Sequence, residues 1–446
     1  MTVATTDTAP GAVLEERIRT KSAVVGVIGL GYVGLPLAAG FARAGFRVLG
    51  FDVDAGKVAS LEANRSYIAH FPHAVLEELH RKRSFSATFD FSRLPECDAI
   101  LICVPTPLTL HREPDLSFVE STAKQIAAVA RPGQLVVLES TTYPGTTEEI
   151  LQPAIEAQGL VLDHDFFLAF SPEREDPNNA SFRLETIPKV VGGVTPRSGD
   201  LAARLYGSVV ERVVTVSHAR VAEATKLFEN IFRAVNIALV NELKICFDRM
   251  GIDIWAVLDA AATKPFGFMR FEPGPGLGGH CIPVDPFYLT WKAREYGVST
   301  RFIELAGEVN SGMPGWVVHK LGDALNQRGR SLKGSRVLIV GVAYKKNVDD
   351  VRESPALEIM ELILSKGSDV LYHDPHVPKL HKMRRHDLDL ASVDLTEEVI
   401  ARSDAVVLVT DHDAIDYALL ATASLVLDCR GAFRRRGLSC SGLVEA

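Results

Sequence analysis

Short apolar runs alternate with longer amphipathic stretches from residue 24 onward. Val24 to Ile28 is apolar and enters the loop GLGYVG, Gly29 to Gly34, after which an apolar helix continues to about Ala44. A second run, FRVLGFD, ends at Asp52. Strand, turn, helix and strand in that order open a doubly wound nucleotide-binding domain. DAILICVPTP closes at Pro105 to Pro107, QLVVLEST reaches Ser140 and Thr141, and FFLAFSP leads into Glu173. Each run brings its polar end to the carboxyl edge of a sheet, where ligands sit in open α/β folds.

From Val221 to about Arg249 the pattern becomes a single long helix with no Gly or Pro inside. Its length predicts a spine between domains and a dimer surface. Further on, RVLIVGVAY (Arg336 to Tyr344), the helix PALEIMELILSKG and DVLYHDP repeat the opening pattern, and DAVVLVTDHD echoes DAILICVPTP. The last part thus reads as a second Rossmann-type domain in which VAYKKN replaces the glycine fingerprint. Such a change in loop chemistry implies a second, differently held nucleotide-like ligand. The expected fold class is α/β: two Rossmann-like doubly wound domains joined by a long central helix.

Composition narrows the function. The formal net charge of -8 favours neither nucleic acid nor an anionic membrane surface. No apolar run reaches the roughly 18 residues of a membrane span, so none is expected. The first 20 residues lack an apolar secretory core and read as a flexible tail. Six cysteines without a CxxC pair argue against structural zinc and for reduced thiols in the cytoplasm. His373, His376 and His381 cluster loosely, with a spacing that matches no metal site, so no metal is expected.

The glycine loop carries the first piece of chemistry. Gly29 permits a tight turn, Gly31 lets backbone approach a pyrophosphate, and Gly34 lets the helix pack closely. Asp52 is placed to bind a ribose diol, and its charge opposes a 2′-phosphate, so NAD is the expected cofactor. In PGPGLGGHCIPVDP, Cys281 follows two glycines and a His, a setting that exposes a thiol, with Asp285 four residues on. Lys226 and Asn230 share one face of the long helix, and Lys226 lies in an apolar stretch where a buried ammonium would be costly. Thr141, Glu173, Lys345 and Arg352 are further candidates, each of which taken alone reads equally well as a side chain facing water.

GLGYVGLP, KLFEN, GGHCIPVDP and KKNVDDVRES together resemble the UDP-glucose/GDP-mannose dehydrogenase family over about residues 22 to 435. The resemblance implies an NAD domain (21–215), a central helical dimerisation domain with the cysteine loop (216–325) and a UDP-sugar domain (326–446), after a tail of residues 1–20. It implies a four-electron oxidation of a sugar's six-position alcohol through a thioester on Cys281. Lys226 and Asn230 match groups that hold the developing oxyanion, Asp285 one that assists proton transfer, and Glu173 and Thr141 ones that position substrate and water. Tyr32, Val33, Val104, Pro105, Thr106, Ser140 and Arg352 match cofactor contacts. Gly276, Gly278, Tyr344, Lys345 and Arg430 match contacts to the UDP-sugar, and a homodimer is the expected assembly.

There are departures as well. His280 replaces the small residue that precedes the cysteine in members acting on UDP-glucose, and SPERED lacks their second Glu, leaving Glu175 or Asp176 as substitutes. TKPFGFMRFEPG is not the UDP-glucose loop, so Lys264 and Arg301 stand as candidate diphosphate contacts. The pattern is closer to members that oxidise N-acetylated hexosamines, and UDP-N-acetylglucosamine is the expected substrate. The N-acetylmannosamine, N-acetylgalactosamine and glucose analogues remain open. So do a two-electron hydroxyacid dehydrogenase, which has no use for Cys281, and a non-catalytic sugar-nucleotide sensor.

Overall fold

The computed structural model describes residues 9–68, 71–109, 113–175, 184–279, 282–383 and 386–446. The chain divides into two compact units, Met1–Glu229 with Phe287–Gly297, and Asn230–Pro286 with Val298–Ala446. The boundary falls inside the helix Ala219–Met250, which matches the expected long helix closely. Among the described residues no helix is long and apolar enough to cross a membrane.

The first unit is built on an eight-stranded sheet. Its strands are β1 (Val24–Ile28), β2 (Arg47–Phe51), β3 (Phe85–Thr88), β4 (Ala99–Ile102), β5 (Gln134–Leu138), β6 (Phe166–Phe170), β7 (Lys189–Gly193) and β8 (Val213–Val216). The order β3-β2-β1-β4-β5-β6 is the dinucleotide-binding one, and β7 joins β6 antiparallel before β8 closes the edge. Every residue of β4 and β5 is buried, as expected of strands covered on both faces.

Residues 10–19 correct one expectation. They form a helix, Pro10–Arg19, where a flexible tail was expected. Leu14 and Ile18, 1% and 2% exposed, lie one turn apart and enter the main core, and burying each contributes about 1.5–3 kcal/mol. Arg17 pairs with the buried carboxylate of Asp98 at 2.6 Å, and Arg197 holds Glu15 at 2.7 Å. A stripe of two apolar residues is too short to stand out among polar neighbours, so its partners had to be seen.

The second unit carries a parallel sheet of five strands, β9 (Arg336–Val340), β10 (Asp369–His373), β11 (Ala405–Leu408), β12 (Val426–Asp428) and β13 (Leu443–Glu445). Their order, β10-β9-β11-β12-β13, is the other common doubly wound arrangement. The two sheets share a turn. Gly29 (φ 91°) donates its N–H to Phe51, and Gly341 (φ 78°) donates to His373 in the equivalent place. A side chain on either glycine would collide with the carbonyl of Cys103 or of Thr410. The second domain therefore keeps the first glycine of the fingerprint, as Gly341, although the rest of the motif has gone.

Candidate active site

The carboxyl edge of the first sheet gathers the expected cofactor residues. Gly29 to Val33, Tyr32 included, form the loop after β1, and the next helix begins at Gly34. Among the described residues, its chain neighbours apart, nothing lies within 4 Å of where a side chain on Gly31 would begin, so the backbone presents an open face beside a helix N-terminus. Asp52, 7% exposed, accepts N–H groups from Leu30 and Asp54 at 3.0 Å each, and Lys57 stands 3.8 Å away. Each oxygen keeps a lone pair for a ribose hydroxyl. Val104, Pro105 and Thr106 follow β4, and the Ser140 hydroxyl donates to the Val104 carbonyl at 2.7 Å, which ties the ends of β4 and β5 together. These residues fit NAD.

Thr141 is half-buried just after β5, and Glu173 is half-buried after β6. The Glu173 carboxylate accepts the N–H groups of Arg174 and Glu175, each at 2.6 Å, and the Lys189 ammonium at 3.0 Å. Burial opposes its ionisation, but Lys189 and the two N–H groups outweigh burial and hold the carboxyl below its usual range. Glu175 goes the other way: burial, then the neighbouring Glu173, raise it to about 7. Arg174 turns toward the long helix and pairs with Glu229 at 2.6 Å, one turn beyond Lys226. Lys226 itself is half-buried, so the burial cost argued from its apolar neighbours applies only in part.

In the second unit Asn230, 5% exposed, donates its side-chain amide to Asp285, 3% exposed, at 2.5 Å. Asp285 opens the helix Asp285–Glu295. Cys281 and His280 lie outside the described residues, as does Asp176. The glycine loop that precedes them is described, and it rests on its own unit. A side chain on Gly278 would come within 2.8 Å of Tyr344 and 3.1 Å of the Glu353 carbonyl, so only glycine fits there. Gly279 donates to the Arg352 carbonyl at 3.4 Å, and Gly274 donates to Asn241 at 2.9 Å. Gly276 is placed against Pro355 and Pro314. The side chain of Arg430 reaches Gly274 and donates to the Val409 carbonyl at 2.8 Å. The second unit thus brings Gly276, Gly278, Tyr344, Arg352 and Arg430 together. Lys345 follows Tyr344 and is half-buried, and the Arg352 guanidinium pairs with Asp350 at 2.8 Å. Lys264 is exposed above the Phe266 ring, and Arg301 is exposed at the start of the helix Arg301–Asn326.

Several residues of these edges escaped the sequence reading. Asp374, at the end of β10, accepts N–H groups from Val342 and Ala343, as Asp52 does from Leu30. His412, fully buried, then meets Asp374 at 3.1 Å, so the acid that could hold a ribose is satisfied from within. His376 packs against the His412 ring and His373 bonds the Val393 carbonyl; no group of three or more metal-ligating side chains occurs among the described residues. Glu139 and Lys189 were also passed over. The available signal was a charge directly abutting an apolar run, in VVLEST and PKVVGG, because a buried charge demands a partner.

Comparison with known proteins identifies the family. Residues 23–210, 220–312 and 338–435 match the NAD-binding, central and UDP-binding domains of the UDP-glucose/GDP-mannose dehydrogenase family. A UDP-N-acetyl-D-glucosamine 6-dehydrogenase of Pseudomonas aeruginosa is 40% identical over 82% of this chain and 86% of its own length. An NDP-N-acetyl-D-galactosaminuronic acid dehydrogenase of Ralstonia nicotianae is 36% identical over 93% and 97%. The solved structure of a UDP-D-ManNAc dehydrogenase from Pyrococcus horikoshii superposes with a TM-score of 0.85 at 31% identity, covering 95% of this chain and 98% of that one. With three consecutive domains matched and an open dinucleotide edge in the first unit, the chain belongs to the UDP-glucose/GDP-mannose dehydrogenase family and is an NAD-dependent UDP-sugar dehydrogenase.

Proposed function

We propose that the chain oxidises the six-position alcohol of UDP-N-acetyl-D-glucosamine to the uronic acid, by way of a thioester on Cys281, for polysaccharide precursor synthesis. The observation that carries the reaction is the short buried bond between Asn230 and Asp285, four residues beyond Cys281. Support for the sugar comes from the Pseudomonas relative, whose name specifies UDP-N-acetyl-D-glucosamine. A second reading, an N-acetylgalactosamine or N-acetylmannosamine substrate, is favoured by the names of the Ralstonia and Pyrococcus proteins.

The Gly29–Gly34 loop and Asp52 would hold NAD, which would accept one hydride in each of the two oxidations, a second NAD taking the place of the first NADH. Lys226 and Asn230, one turn apart on their helix, steady the substrate oxygen as negative charge develops on it. Asp285, oriented by Asn230, relays the proton. Once the alcohol has become an aldehyde, the Cys281 thiolate adds to its carbon, and the resulting thiohemiacetal is oxidised to the thioester. Glu173 and Thr141 orient the water that releases the acid. Tyr344, Lys345 and Arg430 hold the UDP moiety, with Gly276 and Gly278 giving their backbone to the sugar, and Arg352 assists the cofactor.

A panel of UDP-sugars, with NADH counted per sugar consumed, tests both parts. The expected result is about two NADH per sugar and the highest kcat/KM for UDP-N-acetyl-D-glucosamine. One NADH with free aldehyde as product would remove the four-electron reading. A better UDP-N-acetylgalactosamine or UDP-N-acetylmannosamine rate would replace only the sugar.

We also propose that the chain works as a homodimer. Phe232, Leu239 and Met250 recur at helical spacing on the long helix and are 40%, 53% and 62% exposed. Beside them runs a groove of about 660 Å³ with Ile245, Met250, Leu305 and Val309 in its lining and Glu242, Arg249 and Glu308 among them. An apolar stripe of this extent is the kind of surface that pairs with a copy of itself. Light scattering should give a dimer mass for the native chain and a monomer for Leu239→Glu. A monomer for the native chain at micromolar concentration would end this proposal.

A further inference from the structure

The first unit sets one buried and one half-buried carboxylate around a buried ammonium. Lys189, the first residue of β7 and 3% exposed, holds Glu139 at 2.6 Å and Glu173 at 3.0 Å. Glu139 follows β5, is 2% exposed, and accepts the hydroxyl of Tyr206 on its other oxygen. The strand register produces the cluster. β6 and β7 pair antiparallel with Ala169 opposite Gly193 and Phe170 opposite Gly192, and the same register continued past Phe170 sets Glu173 opposite Lys189.

The hydrogen bonds also distinguish the two oxygens of Glu173. Oε1 takes two N–H groups, from Arg174 and Glu175, which fill its lone pairs. Among the described residues Oε2 takes Lys189 alone, which leaves it a lone pair. We propose that Lys189, braced by Glu139, is a positioning residue that keeps Glu173 ionised and presents Oε2 to the substrate or the attacking water. This inference rests on the reading of Glu173 as a site residue.

The surrounding charges fit that role. One ammonium serves two acids, and they divide it unequally. Burial raises Glu139 despite Lys189, whereas Glu173, with its two N–H donors, stays below the usual range. Two acids driven apart by their surroundings are suited to different tasks. Glu175 lies beside Glu173 on the same loop, with Glu185 next to it; Arg174 is directed to Glu229 and the Pro188 carbonyl. Cys103, after β4, is buried near Glu139 and is pushed far up, so it adds no charge at neutral pH.

The test is the pH dependence of kcat in three variants. A working Glu173 carboxylate loses activity as pH falls through its pKa. Without the Lys189 ammonium that pKa rises, so the loss begins at higher pH. Lys189→Met should move the acid limb up by about one unit or more, and Lys189→Arg should return it. Because Lys189→Met strands Glu139 in the core, Glu139→Gln combined with Lys189→Met provides a variant free of that burden, and it should show the same upward shift. NAD affinity near the native value certifies the fold in each. An acid limb left in place in the double variant overturns the inference. Glu173→Gln separates this failure from that of the underlying reading. If it removes the limb while the Lys189 variants do not move it, only the positioning role fails. If it leaves rate and limb as in the native enzyme, the assignment of Glu173 fails too.

Discussion

Cys281→Ser is expected to lower turnover on the UDP-sugar by a factor on the order of thousands, while NAD and UDP-sugar binding change little. The thiol has no task until the first hydride has left, because the alcohol offers no carbon for it to attack. It then must add to an aldehyde. A thiol with an ordinary pKa near 8.5 supplies some thiolate at neutral pH, whereas a serine hydroxyl supplies almost no alkoxide. Where the serine does add, oxidation leaves an ester that hydrolyses slowly, and intact-mass spectrometry should find the sugar retained on the protein. Binding survives because the glycine loop that precedes the cysteine packs against Tyr344 and the backbone of Arg352 and Glu353, contacts that the substitution leaves unchanged. Acid formation by Cys281→Ser at a rate close to the native one would make the cysteine structural and end the thioester reading.

The next largest loss is expected for Lys226→Met, roughly 10²–10³ in kcat with a much smaller change in KM. Methionine keeps the apolar stem along the helix and removes only the ammonium, so the change isolates charge from packing. Alkoxide character grows on the substrate oxygen during each oxidation, and a nearby ammonium lowers that barrier more than it favours the ground state. No covalent adduct should accumulate in this variant, which separates it from Cys281→Ser. Lys226 is half-buried, so a side chain that merely solvates its helix would show an unchanged kcat. That outcome would reassign the oxyanion role to Asn230 alone.

Much of the architecture was readable because parallel strands covered on both faces are written as uninterrupted apolar runs. Ala99–Ile102 and Gln134–Leu138 are buried along their whole length, and they end two or three residues short of the polar positions at which the runs were expected to close. The glycine turn was readable for another reason. Gly29 at φ 91° needs a residue without a side chain, and this is a local demand that one position can announce. The matching turn at Gly341 was missed because a single glycine, without its two companions, carries no signature. Helix Pro10–Arg19 was missed because its stability comes from the core it enters rather than from its own pattern.

The sequence by itself determined the strands β1, β2, β4, β5, β6, β9, β10 and β11, where the dinucleotide turn would fall, and which polar residues would follow those runs; the short strands β3, β7, β8, β12 and β13 were not among them. Only the tertiary structure decided what those residues met. Glu139 and Lys189 are 50 positions apart, and Lys189 and Glu173 are 16 apart, yet all three share one buried cluster. An apolar run specifies which face a side chain takes, with a period of two, but not which strand lies beside it or in which direction that strand runs. Had β7 run parallel to β6, Lys189 would lie at the opposite end of the strand from Glu173. Its antiparallel entry is a property of the whole sheet, and it brings Lys189 to the second oxygen of Glu173, which accepts from no other described residue.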